Sequence, residues 1–93
     1  MTTIYPVGAP DRVPAKVTRR QALQALRLRG ITEADIEAKI AGIENVLQRD
    51  LALIEFRSSL EFERHRPLVI QIGKALELTD ADMDQLFIIA ATL

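Results

Sequence analysis

The sequence contains no cysteine and no tryptophan, and its aromatic residues are one tyrosine and three phenylalanines. Without cysteine, these 93 residues can carry no disulfide, no thiolate nucleophile and no cysteine-bound metal. The composition, 48% hydrophobic and 27% charged, is that of a globular domain and gives enough apolar residues for one core. Because aromatic residues are scarce, Leu, Ile, Val and Ala must build that core, and such residues favour helix packing.

Long apolar runs are missing as well. No stretch reaches the roughly 18 apolar residues that a membrane span needs, and residues 1–10 lack a basic region followed by an apolar run. We therefore expect a protein of an aqueous compartment that has no membrane partner.

The charge of the chain is unevenly distributed although its net value is only −1. Residues 1–30 contain six bases and one acid, a net charge of +5, whereas residues 31–93 contain six bases and twelve acids, a net charge of −6. A basic end and an acidic remainder could pair within the chain or between copies, and a basic end is also typical of nucleic-acid binding.

The first sixteen residues are predicted to form an extended arm. Pro6, Pro10 and Pro14 recur at every fourth position, and proline at that spacing disfavours both a helix and a central strand. The predicted organisation is an extended N-terminal arm over residues 1–16 and a helical domain over residues 17–93. The arm either binds a partner or folds back on its own domain. Its candidate partner-binding residues are Tyr5, Pro6, Val7, Pro10, Val13 and Pro14.

Two helices are predicted in the first half of the domain. Thr18 is a suitable N-cap for a helix over residues 19–29, with Gly30 as its stop. Thr32 caps a second helix, and Asp35 three residues later resembles the acidic partner of a capping box. Its apolar stripe, at spacings of four, three and four, is formed by Ile36, Ile40, Ile43 and Leu47. Gly42 inside the stripe is interpreted as a point of close helix approach.

Three more helices complete the prediction. Asp50 is taken as the cap of a third helix that runs to about Arg64, and Pro67 starts a fourth over residues 67–76. Thr79 with Asp82 opens the fifth. The third helix carries an apolar row that is predicted to be flanked by Leu51, Ile54 and Phe62. The resulting fold class is all-α: a small bundle of about five short helices with an extended, proline-containing N-terminal arm.

The end of the fifth helix is apolar on more than one side. Residues 86–93 carry no charge, and Ile88 and Ile89 fall outside the face that Met83 and Phe87 share. So small a domain has little interior left to cover a second face, which suggests a protein interface. The alternative is a core helix covered on all sides. The candidate interface residues are Ile88, Ile89 and Leu93.

Candidate chemistry is weak throughout the chain. Asp80, Asp82 and Asp84 alternate as at the start of a calcium loop, but Gln85 stands at the position where that loop needs glycine, so helix-start acids are the better interpretation. The single histidine, His65, lies between Arg64 and Arg66 in a predicted solvated turn and is not expected to bind a metal or catalyse a reaction, and Ser58 and Ser59 have no histidine at a meaningful spacing. We therefore expect no catalytic residue, no metal and no cofactor, and thus no enzyme.

A helix-turn-helix DNA-binding motif is the best nucleic-acid hypothesis. The first two helices and the turn at Gly30 have suitable lengths, and the basic patch Arg19, Arg20, Arg27 and Arg29 lies on the first helix. The presumed recognition helix, however, begins with acids that would face phosphates. These acids are Glu33, Asp35 and Glu37. Nucleic acid is therefore not the expected partner, and a solvated or ion-paired face is the alternative for the patch.

Three groups of residues follow one another along the domain. The first is Thr18, Arg19, Arg20, Gln21, Ala22 and Leu23; the second is Ile54, Glu55 and Phe56, followed by Phe62, Glu63 and Arg64 and by Pro67, Leu68 and Val69; the third is Leu78, Thr79 and Asp80, followed by Asp84, Gln85, Leu86, Phe87 and Ala90. In that order and spacing they resemble small proteins encoded in the tail regions of tailed bacteriophages and prophages, often beside tail-fibre genes. The resemblance covers about residues 17–93. Those proteins commonly have a tryptophan where this chain has Phe56, and the arm is not a fixed part of them.

The resemblance implies a structural or adaptor protein of a phage particle that is associated with the tail, baseplate or tail fibre. Its partners would be other tail or fibre proteins or further copies of itself. It would lie in the tail region of the virion and, during assembly, in the host cytoplasm. One alternative is a tail-fibre assembly chaperone that leaves before the particle is complete, and another is a small helix-turn-helix regulator. The resemblance supplies no catalytic residues.

Overall fold

The computed structural model describes residues 13–93, so the candidate arm residues Tyr5, Pro6, Val7 and Pro10 lie outside the described part. Five helices dominate this part, which confirms the all-α fold class, and two three-residue strands form a small sheet. The elements in chain order are β1 Lys16–Thr18, α1 Arg19–Leu28, α2 Glu33–Ala41, α3 Val46–Ser58, β2 Glu61–Glu63, α4 Pro67–Ala75 and α5 Asp80–Ala90.

Three helices begin with a complete capping box: the sequence predicts all three threonine caps and the partners Asp35 and Asp82, whereas the partner Gln21 of Thr18 was not predicted. In each, a threonine hydroxyl accepts from the backbone N–H three residues later, and that residue's side chain accepts from the threonine N–H. Backbone bonds from Thr32 and Thr79 hold the pKa of Asp35 and of Asp82 below the usual value, because they stabilise the carboxylates. Gly30 ends the first helical segment with φ +89°, a left-handed conformation that favours glycine.

The middle of the chain differs from the prediction. Helix α2 ends at Ala41, with Gly42 as its C-cap, and α3 begins four residues after Gly42, with the Asn45 side chain accepting from Gln48 N–H at 2.9 Å. Asp50 is therefore inside α3 and is not its cap. Leu47 belongs to α3 and does not extend the α2 stripe. The predicted role of Gly42 was also wrong, because a Cβ at this position would meet only carbonyl oxygens of α2 and no atom of another helix.

The small sheet was not predicted. Strands β1 and β2 are antiparallel, with Val17 opposite Phe62, and both of these side chains are buried while their strand neighbours are exposed. Phe62 is thus a strand residue and not a member of a helix that runs to Arg64. The polar–apolar–polar triplet is compatible with a strand that buries its centre, and the pairing of Phe62 with Val17 selects the strand. The Phe62 ring stacks on Phe56 with 5.9 Å between the centroids.

All five helices and both strands contribute buried residues to one core. Pro67 starts α4 as predicted, and Gly73 on that helix is a packing contact: a Cβ there would lie 2.7 Å from the Met83 sulfur. α1 and α5 pack against each other. The buried apolar residues are Val17, Ala25, Ile36, Ile40, Phe56, Phe62, Leu68, Val69, Met83, Leu86, Phe87 and Ala90.

Candidate interaction surface

Helix α3 has an apolar face that none of the described residues covers. Leu47, Leu51 and Ile54 are spaced by four and three residues, which places them along one side of the helix, and Val46 adjoins them. Their exposed fractions are 67%, 56% and 60%, with 58% for Val46. We call these four residues the α3 stripe. Exposed aliphatic side chains grouped in this way typically mark a contact surface.

The inner side of α3 anchors the helix. Phe56 is only 2% exposed, and the guanidinium of Arg19 lies over its ring at 4.8 Å from the centroid. Arg19 also donates to the Phe56 carbonyl and pairs with Glu33, so one side chain joins the start of α1 to α2 and to the end of α3. These contacts hold α3 in place, and none of them involves a residue of the α3 stripe.

Ion pairs at the end of α3 add to this anchoring. Arg57 donates to both carboxylate oxygens of Glu37, at 3.1 and 3.2 Å, and this lowers the pKa of Glu37. Glu55 accepts from Arg66 at 3.0 Å. Both pairs are partly exposed, so they orient the helix more than they stabilise it.

The predicted C-terminal interface is less exposed than the α3 stripe. Ile88 is half-buried, and the exposed fractions of Ile89 and Leu93 are 36% and 37%. Of the candidate arm residues that are described, Val13 and Pro14 are half-buried, and Val13 packs against the core. Val13 and Pro14 are therefore less exposed than the α3 stripe.

The basic patch is divided among different contacts. Arg19 is engaged with Glu33 and Phe56, and Arg29 pairs with Asp82 at 3.0 Å. Arg20 donates to Gln24 at 2.8 Å and to the Leu93 carbonyl at 3.4 Å. Of the four arginines in the basic patch, Arg19 and Arg29 thus join one helix to another. Only Arg27 among the four is exposed and has no partner within the described residues.

The alternating aspartates serve the fold. The Asp82 carboxylate accepts from the Thr79 N–H at 2.9 Å in the capping box of α5, and Asp84 accepts from Arg64 Nε at 2.8 Å. Arg64 is the buried charged residue of the described chain, at 5% exposure, and it also donates to the Asp80 carbonyl at 3.2 Å. Within residues 13–93, no three His, Asp or Glu side chains are grouped so that they could hold a metal.

An apolar cavity of about 60 Å³ lies between α1, α4 and α5. Its walls are entirely apolar and include Leu23, Phe56, Val69, Met83 and Phe87. Ligand sites usually measure about 300 to 1,000 Å³ and contain a few polar groups that orient the ligand. This cavity has neither property, so it is imperfectly filled core.

Among the described helices, none has the length and apolar character to cross a membrane.

Sequence reasoning missed the α3 stripe because it divided these residues between two helices. The sequence pattern assigns Leu47 to the apolar stripe of α2. It places Leu51 and Ile54 only at the flanks of the apolar row that the third helix is expected to bury. The signal was present: Leu47, Leu51 and Ile54 have helical spacing and lie on a side of α3 different from that of Phe56.

Comparison with known proteins gives no relative on which to base a function: no family model, no curated protein and no solved structure matches this chain.

Proposed function

We propose that this chain is a helical adaptor that acts through protein–protein contacts, with the α3 stripe as its contact surface, in the tail of a bacteriophage particle. The observation that carries the contact role is the row of four aliphatic side chains, each more than half exposed, on a well-anchored helix. The resemblance of residues 17–93 to phage tail-region proteins supports the setting.

The size of the stripe indicates a contact that is weak by itself. Full burial of one such side chain contributes about 1.5 to 3 kcal/mol, so covering the exposed portions of four gives about 4 to 7 kcal/mol. Association costs about 4 to 15 kcal/mol in lost freedom. A single contact through the stripe alone would therefore be transient. In a particle with many copies, several such contacts acting together hold firmly.

The positions of the arginines favour an adaptor over a DNA-binding regulator. Arg19 and Arg29 pair with acids of the same chain, and the start of α2 remains acidic at Glu33, Asp35 and Glu37. A recognition helix that begins with three carboxylates would be repelled by phosphates. The four residues of the α3 stripe carry no charge, and Asp50, which lies among them on the same face of α3, is an acid that would repel phosphates.

The adaptor role is tested by changing the stripe and measuring incorporation. We expect Leu51→Arg to reduce the amount of this chain in purified particles by about tenfold or more, because the charge must be desolvated in the contact. The control is Leu28→Arg, since Leu28 is 74% exposed on α1 and lies outside the stripe. Both variants should keep the wild-type melting temperature. Equal incorporation of Leu51→Arg and wild type would contradict the proposal.

Mass spectrometry of purified particles tests the setting. A fixed ratio of this chain to the major tail proteins is the expected result for a permanent component. Its presence during infection together with its absence from finished particles would favour the assembly chaperone instead.

A further inference from the structure

The outer edge of β2 has backbone groups that the sheet does not use. Arg64 N–H donates to the Ala15 carbonyl at 2.9 Å, and Arg19 N–H donates to the Leu60 carbonyl at 2.8 Å. In an antiparallel pair the hydrogen-bonded positions alternate, so Phe62 also bonds to β1 while Glu61 and Glu63 direct their N–H and C=O groups away from it.

Most of these outward groups have no partner in the described structure. The Glu63 carbonyl accepts from Arg66 N–H at 3.1 Å. For the N–H and C=O of Glu61 and the N–H of Glu63, residues 13–93 provide no hydrogen bond. An unused strand edge is a template on which another extended segment can pair.

A groove of about 660 Å³ runs beside this edge. The end of α3 contributes Glu55 and Ser59 to its walls, and α4 contributes Val69, with Arg66 just before that helix. With Glu61 and Glu63 the walls carry more acid than base. The groove therefore suits an extended segment that has no acidic side chain and can donate and accept backbone hydrogen bonds.

We propose that residues 2–5 of a second copy of this chain add to the outer edge of β2 as an antiparallel strand. The segment reads Thr2, Thr3, Ile4 and Tyr5, all residue types that favour strands. Residues 1–10 contain no charged residue, so the acidic groove does not repel them. Pro6 ends the pairing because it has no N–H, which limits the strand to a length that matches β2.

Chain connectivity points to a second copy as the donor. An antiparallel partner of β2 runs parallel to β1, and parallel strands of one chain need a crossover of about a dozen or more residues. Only residues 6–15 separate the segment from β1. If the segment ran parallel to β2 instead, residues 6–15 would have to pass over the end of β2 from which the chain continues to α4. Connections that cross one another in this way are avoided. Exchange between copies has neither problem.

The test measures self-association of the full chain by sedimentation over a range of concentrations. We expect wild type to associate reversibly, and we expect Glu61→Pro to weaken that association by about tenfold or more, because proline removes an outward N–H and obstructs the edge. The ladder with β1 does not use the Glu61 N–H, so this variant should keep its fold. The matched control is Lys16→Pro, which removes the outward N–H of β1 and should leave association unchanged.

A second measurement uses the arm as a separate probe. A synthetic peptide of residues 1–12, added to protein that lacks them, should shift the amide resonances of Glu61 and Glu63. The deletion ends at residue 12 because Val13 packs against the core and Ala15 bonds to Arg64.

Three results would overturn the proposal: a wild-type chain that stays monomeric at every concentration, loss of association in Lys16→Pro but not in Glu61→Pro, or a peptide that leaves both amides unchanged. The proposal is independent of the adaptor role, because Leu51→Arg alters the α3 stripe and should leave this self-association intact.

Discussion

Helices α3 and α5 are both rich in aliphatic residues, yet they meet solvent very differently. In α5, Met83, Leu86, Phe87 and Ala90 are all at most 8% exposed. In α3, Phe56 is the buried residue, while the four residues of the α3 stripe are each more than half exposed. In the apolar C-terminal run, Leu86, Phe87 and Ala90 are buried and Ile89 and Leu93 are 36% and 37% exposed, whereas the more polar α3 sequence carries the larger exposed apolar surface.

The difference shows that apolar content alone does not identify an interface. A helix that crosses the middle of a small domain can bury residues on several sides, as α5 does against α1 and β1. Among the described elements, helix α3 has α2 as its main helical neighbour, so residues 13–93 leave one side of α3 uncovered. The number of neighbouring elements, and not the number of leucines and isoleucines, decides which side chains remain available to a partner.

The strongest test of this comparison uses the two sides of α3 itself. We expect Phe56→Ala to lower the free energy of unfolding by about 3 to 5 kcal/mol, because it removes a buried ring and leaves a cavity. Leu51→Ala on the same helix should change it by no more than about 0.5 kcal/mol, since that side chain is already in water. Chemical denaturation measures both values. Similar losses in the two variants would mean that the α3 stripe is part of the core.

A smaller effect is expected from two arginines close together in the chain. Arg64 is buried and bonds to Asp84, whereas Arg66 is largely exposed and pairs with Glu55. Arg64→Met should cost about 1.5 to 3 kcal/mol, because it breaks charge-assisted bonds in a buried setting. Arg66→Met should cost less than about 1 kcal/mol. The pair is compared by thermal unfolding, and an equal cost would refute the importance of burial here.

The smallest effect concerns pH and the helix caps. Because the pKa of Asp35 and of Asp82 is held below the ordinary 3.8 in the folded chain, the carboxylates stabilise the fold above that value. This contribution is lost as the pH falls through the lowered values.

We therefore expect the melting temperature of wild type to decrease more below pH 4 than that of a variant carrying Asp35→Asn and Asp82→Asn. Melting curves recorded in steps from pH 6 to pH 2.5 measure the difference. Parallel curves for the two proteins would contradict the assignment of the lowered pKa values to the caps.

Much of the fold followed from local signals. The three threonine caps, the stop at Gly30 and the proline at the start of α4 depend on residues within a few positions of each other, so the sequence predicted them correctly. The errors lie between Gly42 and Arg64. There Asn45 replaced Asp50 as the cap, and the small strand β2 was interpreted as helix. The choice between helix and strand at Phe62 depends on its pairing with Val17, 45 positions earlier in the chain.

The candidate surface was less predictable than the fold. Arg19 and Arg29 appear in the sequence as members of a basic patch, and only the folded chain brings Glu33, Phe56 and Asp82 to them. The same holds for the α3 stripe, whose exposure depends on where α2 and α4 end and pack. The unused edge of β2 could not be inferred before the sheet itself was known.

By itself, the sequence determined that the described domain is helical, where four of its five helices begin, and that its core is aliphatic with few aromatic rings. These properties depend on backbone hydrogen bonding near each cap and on the periodicity of apolar residues, both of which act over a few positions. Tertiary structure decided which apolar face remains open, which arginines are engaged, and that residues 16–18 pair with residues 61–63. Those outcomes depend on contacts between distant segments, which form only when loop closure and burial select one packing.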